Sequence, residues 1–529
     1  MGLNSHLLTI TEPTIKLEDI EWPDLAESED GDHHSAFQGG NQPYIKINDY
    51  VFQPGEVDAF TLSLTGKYPE INATLADTRD VFAVSQLPRD GDVLSLKITM
   101  DFNDTYKDLR MDFHILEFRG FPVTTEDKNT NGSVYKVRAI AKIPEFYNDS
   151  CKSYGAANSY DHIISIAKDM KLGVATNVDA TNDMMTRICA WQSKAELLEK
   201  TVLHSYVSDE TFQTYSIDPY YYVNFVDVQK VFDAEEEVEM DELISAELFD
   251  ERKGDPKEGS AEEKAQLILS NHHNIENTTN HIKSYNLINA STRVALENGY
   301  KRTMQYFDMN EEGGKVLEFD VESLVSSTIK DNEVALKGNQ SVKEDEFETI
   351  IKHKYIGMQH SADNVHLHYA YSAINNVQNL VELDKMKLVV ELDTTNPALY
   401  RYMKIPVTIY NYSNTSHAVA NTENEKAKEA GFEVKQEQME SGKNQPKIEE
   451  DSRGEGHKVD EFLTGYYVIM GIEYKYSDDE GISQVLHLSR KEWPVRQQVV
   501  EKMAKKEEKK KGKLGSTLGA GAAVAANGK

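Results

Sequence analysis

Histidines gathered in two short stretches are the first residues with an evident capacity for chemistry. His272, His273 and His281 lie in "NHHNIENTTNH", and His360, His366 and His368 lie in "HSADNVHLHYAY". If Val365–Tyr369 is extended, His366 and His368 point to one face and could hold a metal, even across a symmetry axis. The alternative is a solvated or hydrogen-bonded pair, since no third ligand stands at short range. Paired carboxylates could cleave a glycosidic bond, but 89 acidic residues offer many pairs and the sequence singles out none. The "GEGHK" at 454–458 lacks phosphate-loop spacing, and neither H-E-x-x-H nor G-x-S-x-G is present. The two cysteines, Cys151 and Cys189, make neither a metal spacing nor a disulfide framework, which suits synthesis in a reducing compartment. No catalytic residue and no cofactor is implied.

Aromatic chemistry is concentrated in "DPYYYVNFVDVQKVF", residues 218–232. Tyr220, Tyr221, Tyr222 and Phe225 could form a sugar platform, a stack for nucleic-acid bases, or a wall between protein elements. Base stacking would need interleaved Lys or Arg, and the nearest basic residue is Lys230. A run apolar on both sides fits an internal strand or an inter-subunit wall. The whole stretch is expected to be strand, because aromatic and β-branched residues this dense suit a pleated surface.

The whole chain constrains these readings. A length of 529 residues implies three or four units of roughly 100–150 residues each. The net charge of -32 repels free nucleic acid and favours protein partners, or a surface to which DNA does not stick. No apolar run reaches the ~20 residues that span a bilayer, and the N-terminus carries no secretory pattern. Stable membrane insertion is therefore not expected.

The elements that must position the candidates fall into an order. Residues 1–40 read as an acidic N-terminal arm with one short strand at Thr14–Leu17. From 41 to 145, strands such as "YIKINDYVF", "DVLSLKITMDF", "LRMDFHILEFRGF" and "SVYKVRAIAKI" alternate with turns, as a first β-barrel would. Residues 146–232 form an α/β unit. Its first helix has Ser159 as candidate N-cap and Gly173 as candidate stop; its second has Ser193 and Glu196 in a capping-box pattern. An acidic excursion and a mixed helix/strand segment cover 233–330. A second barrel-like unit covers 331–492, interrupted by a polar insertion at 413–458. It opens with a helix on which Ala370, Ala373, Ile374, Val377, Leu380 and Val381 share a face. It closes with a hairpin in which Tyr466, Val468, Met470, Ile472, Tyr474 and Tyr476 share another, turned by "SDDEG". The hairpins closing the two barrels echo one another. Residues 493–529 read as a charged helix and a flexible Gly/Ala tail.

This order resembles the baseplate hub proteins of contractile phage tails, a group that includes late-control tail proteins and the N-terminal part of the type VI secretion spike. Four stretches carry the resemblance: "WQSKAELLEKTVLHSYVSDETFQTYSIDPYYYVNF" from Trp191 to Phe225, the helix 368–384, "TTNPALYRYMKIPVTIYN" at 394–411, and the hairpin 465–490. The chain departs from the pattern at Lys404-Ile405, where a glycine is usual, and in its long insertion, acidic excursion and arm. The resemblance implies an α+β fold with two tail-tube-like antiparallel β-barrels and an intervening α/β domain. It implies a homotrimer whose six barrels form a pseudo-six-fold ring, a symmetry adapter joining the tail tube protein to the central spike protein among other baseplate proteins. DNA would only pass through its lumen. It further implies a virion protein, made in the host bacterial cytoplasm, with Trp191, Tyr220, Tyr221, Tyr222, Phe225, Tyr466, Val468, Met470, Ile472 and Tyr474 in structural or interface roles. The alternatives are a virion-associated cell-wall-degrading enzyme, a tail protein that binds surface polysaccharide, and an assembly scaffold absent from the finished particle.

Overall fold

The computed structural model describes residues 7–17, 43–52, 54–77, 88–99, 108–124, 131–235, 267–269, 281–290, 301–308, 315–320, 351–359, 365–392, 395–409, 463–478 and 480–491, with a few single positions besides. Most of the acidic excursion, the insertion 413–458, nearly all of the C-terminal tail, and His272, His273 and His360 lie outside the described residues.

The described chain is mostly β-sheet with few helices. Its first strands are β1 (Leu8–Thr11), β2 (Pro43–Ile47), β3 (Tyr50–Phe52), β4 (Val57–Ser63), β5 (Glu70–Asp77), β6 (Val93–Ile98), β7 (Leu109–Thr124) and β8 (Asn131–Ala141). Next come β9 (Asp149–Ala157), helix α1 (Ser159–Asp169), β10 (Gly173–Thr176), β11 (Met185–Ser193), helix α2 (Lys194–Leu203), β12 (Gln213–Ile217), β13 (Tyr222–Asp227) and helix α3 (Val228–Phe232). The C-terminal part has β14 (Leu267–Leu269), β15 (Ile282–Asn289), β16 (Lys301–Asp308), β17 (Lys315–Asp320), β18 (Ile351–Gln359), helix α4 (Tyr369–Leu383), β19 (Met386–Leu392), β20 (Lys404–Ile409), β21 (Gly465–Ser477) and β22 (Gly481–Ser489). No described helix is long and apolar enough to cross a membrane.

Two compact units result. The smaller is built from 236–282 and 406–466. In it β14 runs parallel to the end of β20, Leu267 opposite Val407 and Leu269 opposite Ile409. The larger is built from 1–235, 283–405 and 467–529. Its strands follow one run, β15-β19-β22-β21-β4-β5-β8-β7-β6-β2-β3. Two separate closed barrels are not what the described strands make: the run is open, and its two halves meet at an antiparallel seam between β4 and β21. Leu62 stands opposite Tyr474 and Phe60 opposite Tyr476, whose rings stack at 5.5 Å. The reason is the backbone. The edge of each half carries N–H and C=O groups that need partners, and each edge supplies them to the other.

The α/β unit has its own sheet, ordered β1-β10-β13-β12, with β10 parallel to β13. Its apolar faces meet α4 and β21 in a core containing Leu7, Phe212, Val226, Val228, Leu383, Tyr402 and Val468. At ~25 cal/mol per Å² of apolar surface removed from water, each fully buried side chain of this kind contributes about 1.5–3 kcal/mol.

Several local expectations are corrected. The arm's strand is Leu8–Thr11, paired with β10, and it stops before 14–17 because Pro13 has no N–H with which to extend that ladder. "YIKINDYVF" is a hairpin rather than one strand, turned where Asn48 takes a φ of 52°. Asn158, not Ser159, caps α1; its side chain accepts from the Asp161 N–H at 2.8 Å. In the stretch 218–232 the residues 218–221 are a turn and only Tyr222–Asp227 are strand; the Asp227 carboxylate then accepts from the Gln229 and Lys230 N–H groups and starts α3. In β21 a bulge between Ile469 and Gly471 shifts the register, so the single expected face breaks there. Ile472, Tyr474 and Tyr476 share a buried face, while Tyr466 and Met470 are half-buried. Ser193 does cap α2, accepting from the Glu196 N–H at 3.2 Å.

Helix α1 ends before Gly173. Leu172 N–H donates to the Ala167 carbonyl at 2.9 Å and Lys171 N–H to the Lys168 carbonyl at 3.1 Å, a Schellman pair with Lys171 at a φ of 59°. Gly173 serves a different end: a Cβ there would lie 2.7 Å from the Thr11 carbonyl oxygen and 2.6 Å from the Tyr222 ring. Opposite effects follow for two substitutions. Lys171→Gly relieves the left-handed lysine and raises stability by about 0.5–1 kcal/mol, whereas Gly173→Ala lowers it by about 1–3 kcal/mol. Urea unfolding of both variants measures this. Equal effects would contradict the assignment of the helix end.

Candidate functional site

The tyrosine turn is organised by one carboxylate. Asp218 Oδ1 accepts from the Tyr220 and Tyr222 N–H groups at 2.9 and 3.0 Å, and Oδ2 from the Asn224 amide at 3.3 Å. That turn holds Tyr221 at a φ of 65° and sends the three rings to three different elements. Tyr221 is buried, and its hydroxyl accepts from the Asp112 N–H of β7 at 3.1 Å. The Tyr222 hydroxyl donates to Glu12 of the arm. Tyr220 lines a cleft of about 60 Å³ with Ser216, Leu399, Arg401, Ile472 and Tyr474. Burial pushes all three phenols well above the usual tyrosine range, so they stay protonated. Phe225, on β13, is buried in the sheet. These rings therefore meet protein, and the buried Tyr221 offers no face to a sugar.

Arg401 closes the cleft's rim. Its Nε donates to the Met470 carbonyl at 2.6 Å, Nη2 to the Thr65 carbonyl at 3.1 Å, and Nη1 to the Gly66 carbonyl. With these donors and the Asp218 oxygens engaged, the cleft presents apolar walls and the buried Ser216 hydroxyl, which lacks a hydrogen-bond partner. That arrangement suits packing of a side chain better than acid–base work.

The histidine pair sits elsewhere, before α4. Residues 365–368 form a turn rather than an extended segment, so His366 and His368 do not share a strand face. His366 is buried with Nε2 2.9 Å from the His204 carbonyl, and His204 Nδ1 lies 2.8 Å from the Tyr369 carbonyl. The His204 and Tyr369 rings stack at 3.6 Å, and those of Tyr206 and His368 at 3.8 Å. Burial pushes His366 down to about 4, so it is neutral at pH 7. Among the described residues no three His, Cys, Asp or Glu side chains converge as a metal site.

Beside this double stack runs a polar seam that the apolar pattern of α4 did not reveal. Asn376 Nδ2 donates to the Leu203 and Ser205 carbonyls at 3.0 and 3.2 Å, and its Oδ1 accepts from the Gln213 N–H at 2.8 Å. Asn375 donates to the Thr211 carbonyl at 2.6 Å. Asp183 accepts from the Ser159 and Tyr206 N–H groups at 2.8 and 3.0 Å. Three asparagines on one helix, at 375, 376 and 379, are the signal that could have pointed here, since they are poor helix formers.

The structure thus brings Tyr220 together with Ile472 and Tyr474 at the cleft. Tyr222 and Met470 pack against the core that holds Val468. Trp191 stands apart, 80% exposed on the β9–β11 ribbon. Arg401, Asn376 and Asp183 carry the geometry and were not anticipated.

No family model matches the chain, and no curated protein matches it. Solved structures do resemble it. The tail protein from Neisseria meningitidis MC58 is 8% identical at a TM-score of 0.43, over 85% of this chain and 97% of that one. The 43 kDa tail protein of prophage MuSo2 from Shewanella oneidensis is 9% identical at 0.42, over 85% and 98%. The E. coli c3393 protein, a type VI secretion component with structural similarity to the T4 tail proteins gp27 and gp5, is 8% identical at 0.37, over 85% and 79%.

The cap of α3 yields a pH test. Burial raises the Asp227 carboxyl to about 6, against the opposing pull of the Lys230 and Gln229 N–H groups. A folded-state value above the unfolded one means the fold holds this proton between about pH 4 and 6. Stability from this group is therefore present below pH 4 and lost as pH rises to 6, by about 3 kcal/mol at most. Asp227→Asn keeps a capping oxygen and does not titrate. Urea unfolding from pH 4 to 7 should show a flatter profile in the variant and equal or greater stability at pH 7. A variant weaker than wild type by more than about 1 kcal/mol at pH 7 would mean that the ionised cap stabilises the fold.

Proposed function

We propose that this chain is a structural subunit of the tail baseplate of a contractile phage-like particle, a non-enzymatic hub. Three copies form a ring in which the two strand-rich halves of each chain take equivalent, tube-type positions. Six such halves match a six-fold tail tube on one side, and the three-fold symmetry of the ring matches a central spike on the other. Other baseplate proteins bind its outside, and DNA passes through its bore.

The observation that carries this reading is the open run of strands. Its ends are unlike: three-residue β3 at one, and β15, exposed along most of its length, at the other. Among the described residues neither has a second partner strand. Open edges are a liability that proteins pair or cover, and unlike ends joined head to tail close into a ring. The seam between β4 and β21 supports the same reading, because it fixes the two halves of one chain side by side. A net charge of -32 is the balance expected of a subunit whose bore repels DNA rather than retaining it.

Negative-stain averages of the purified full-length chain test the proposal. A ring with a central hole, three-fold and nearly six-fold in outline, is the expected outcome. Compact particles without a hole would overturn it, and lytic activity on peptidoglycan would move the assignment to a cell-wall-degrading enzyme.

A further inference from the structure

The start of α4 is held to the α/β unit by stacked rings and buried polar groups. His366, His204, Asp183 and Arg187 are all buried there. The contacts of His366 fix its tautomer. Its Nε2 faces the His204 carbonyl, which can only accept, so Nε2 carries the proton and Nδ1 is a bare acceptor. That Nδ1 is buried and has no hydrogen-bond partner. His204 Nδ1 likewise donates to the Tyr369 carbonyl.

The surroundings are set against a second proton on His366. The Arg187 guanidinium of β11 acts on the ring with like charge, as does His368 on the same turn. Arg187 is 5% exposed; its Nη2 donates to the Ser159 hydroxyl at 2.7 Å, and its Nε has no partner. Asp183, between β10 and β11, draws a proton toward the ring, but both its oxygens already accept N–H bonds, from Ser159 and Tyr206. The Tyr369 ring meets that of His366 edge-on at 5.6 Å and stays neutral, since burial raises its phenol. Helix α4 adds to the cost. Its N-cap, His368, makes no side-chain cap bond, so the first N–H groups of the helix leave positive partial charge beside the ring.

We propose that the turn 365–368 is an acid-released latch: with His366 neutral it locks α4 onto the α/β unit, and with both ring nitrogens protonated it leaves its buried site and lets the His204–Tyr369 and Tyr206–His368 stacks part. The device belongs to the single chain and stands independently of the ring reading. Release takes up one proton, on Nδ1. Burial holds the folded value near 4, against 6.5 for a free imidazole. The latch is therefore at full strength above pH 6.5 and weakens as pH falls toward 4. Its opening becomes about twentyfold more frequent between pH 7 and pH 5. The sign is opposite to that of the Asp227 cap, so the two titrations are distinguishable in one chain.

Hydrogen exchange of the full-length chain at pH 7 and pH 5, corrected for intrinsic rates, tests the latch. The Tyr206 and Gln213 N–H groups donate across the joint, to Asp183 and to Asn376 Oδ1, and report its opening. Peptides covering 204–213 and 366–376 should lose about twentyfold in protection at pH 5, while β7 and β8 keep theirs. His366→Gln retains a donor for the His204 carbonyl and does not titrate. Arg187→Met removes the facing cation and lets the histidine return toward its ordinary range. Each should shrink the pH response by about fivefold or more. Wild-type protection unchanged between the two pH values would overturn the latch, and so would equal loss in β7 and β8. Either variant that folds decides independently, and a response of wild-type size in it overturns the proposal. If neither folds, carbon NMR of the histidine-labelled wild type decides: one ring titrating near 4 is expected, and none below about 5.5 would overturn it.

Discussion

Pairing of Ala59–Ser63 with Glu473–Ser477 is the constraint on which the larger unit depends. It joins segments from near the two ends of the chain. Closing so long a loop costs only slightly more entropy than closing a shorter one, because the cost grows with the logarithm of length. In return two strand edges lose their unpaired backbone groups, and Phe60 and Tyr476 stack across the join. Without this seam the run of strands would be two sheets with four edges. With it, one run has two.

The α/β unit is held to that run by polar groups placed at turns. Asp218 shapes the tyrosine turn, Tyr221 reaches β7, and the Ile217 N–H donates to the Lys67 carbonyl at 2.7 Å in the turn after β4. Within the run itself, Arg401 joins the turn after β4 to β21 through the carbonyls of Thr65, Gly66 and Met470. Asn376 and Asp183 tie α4 and α1 to the segment between α2 and β12. Such buried polar groups add modest net stability, about 0.5–1.5 kcal/mol each. They cost more when a partner is missing, so they exclude other packings and fix one geometry.

The strands and helices with strong periodicity were legible in the sequence. On α4, Ala370, Ala373 and Ile374 are buried as their pattern requires while Val377, Leu380 and Val381 are only half-buried; the cap at Ser193 and the two strands of the closing hairpin stand where their patterns put them, although the hairpin's single face breaks at the bulge. What escaped was tertiary. The apolar pattern of α4 says nothing of Asn375 and Asn376, yet their amides meet carbonyls of a segment far away in the chain. Gly173 read as a helix stop, but the conformation that ends α1 falls on Lys171 and the glycine answers a close approach by Thr11. The β4–β21 seam was invisible because each strand alone looks like an ordinary half-buried strand, and nothing local names its neighbour. Of the predicted interface residues, Tyr220 meets Ile472 and Tyr474, whereas Trp191 is left facing solvent on a separate ribbon.

The subunit count in solution tests the central claim most directly. Multi-angle light scattering of the full-length chain, over a tenfold range of concentration, should give the mass of three chains. A mass of one chain throughout, or of two, would contradict the ring.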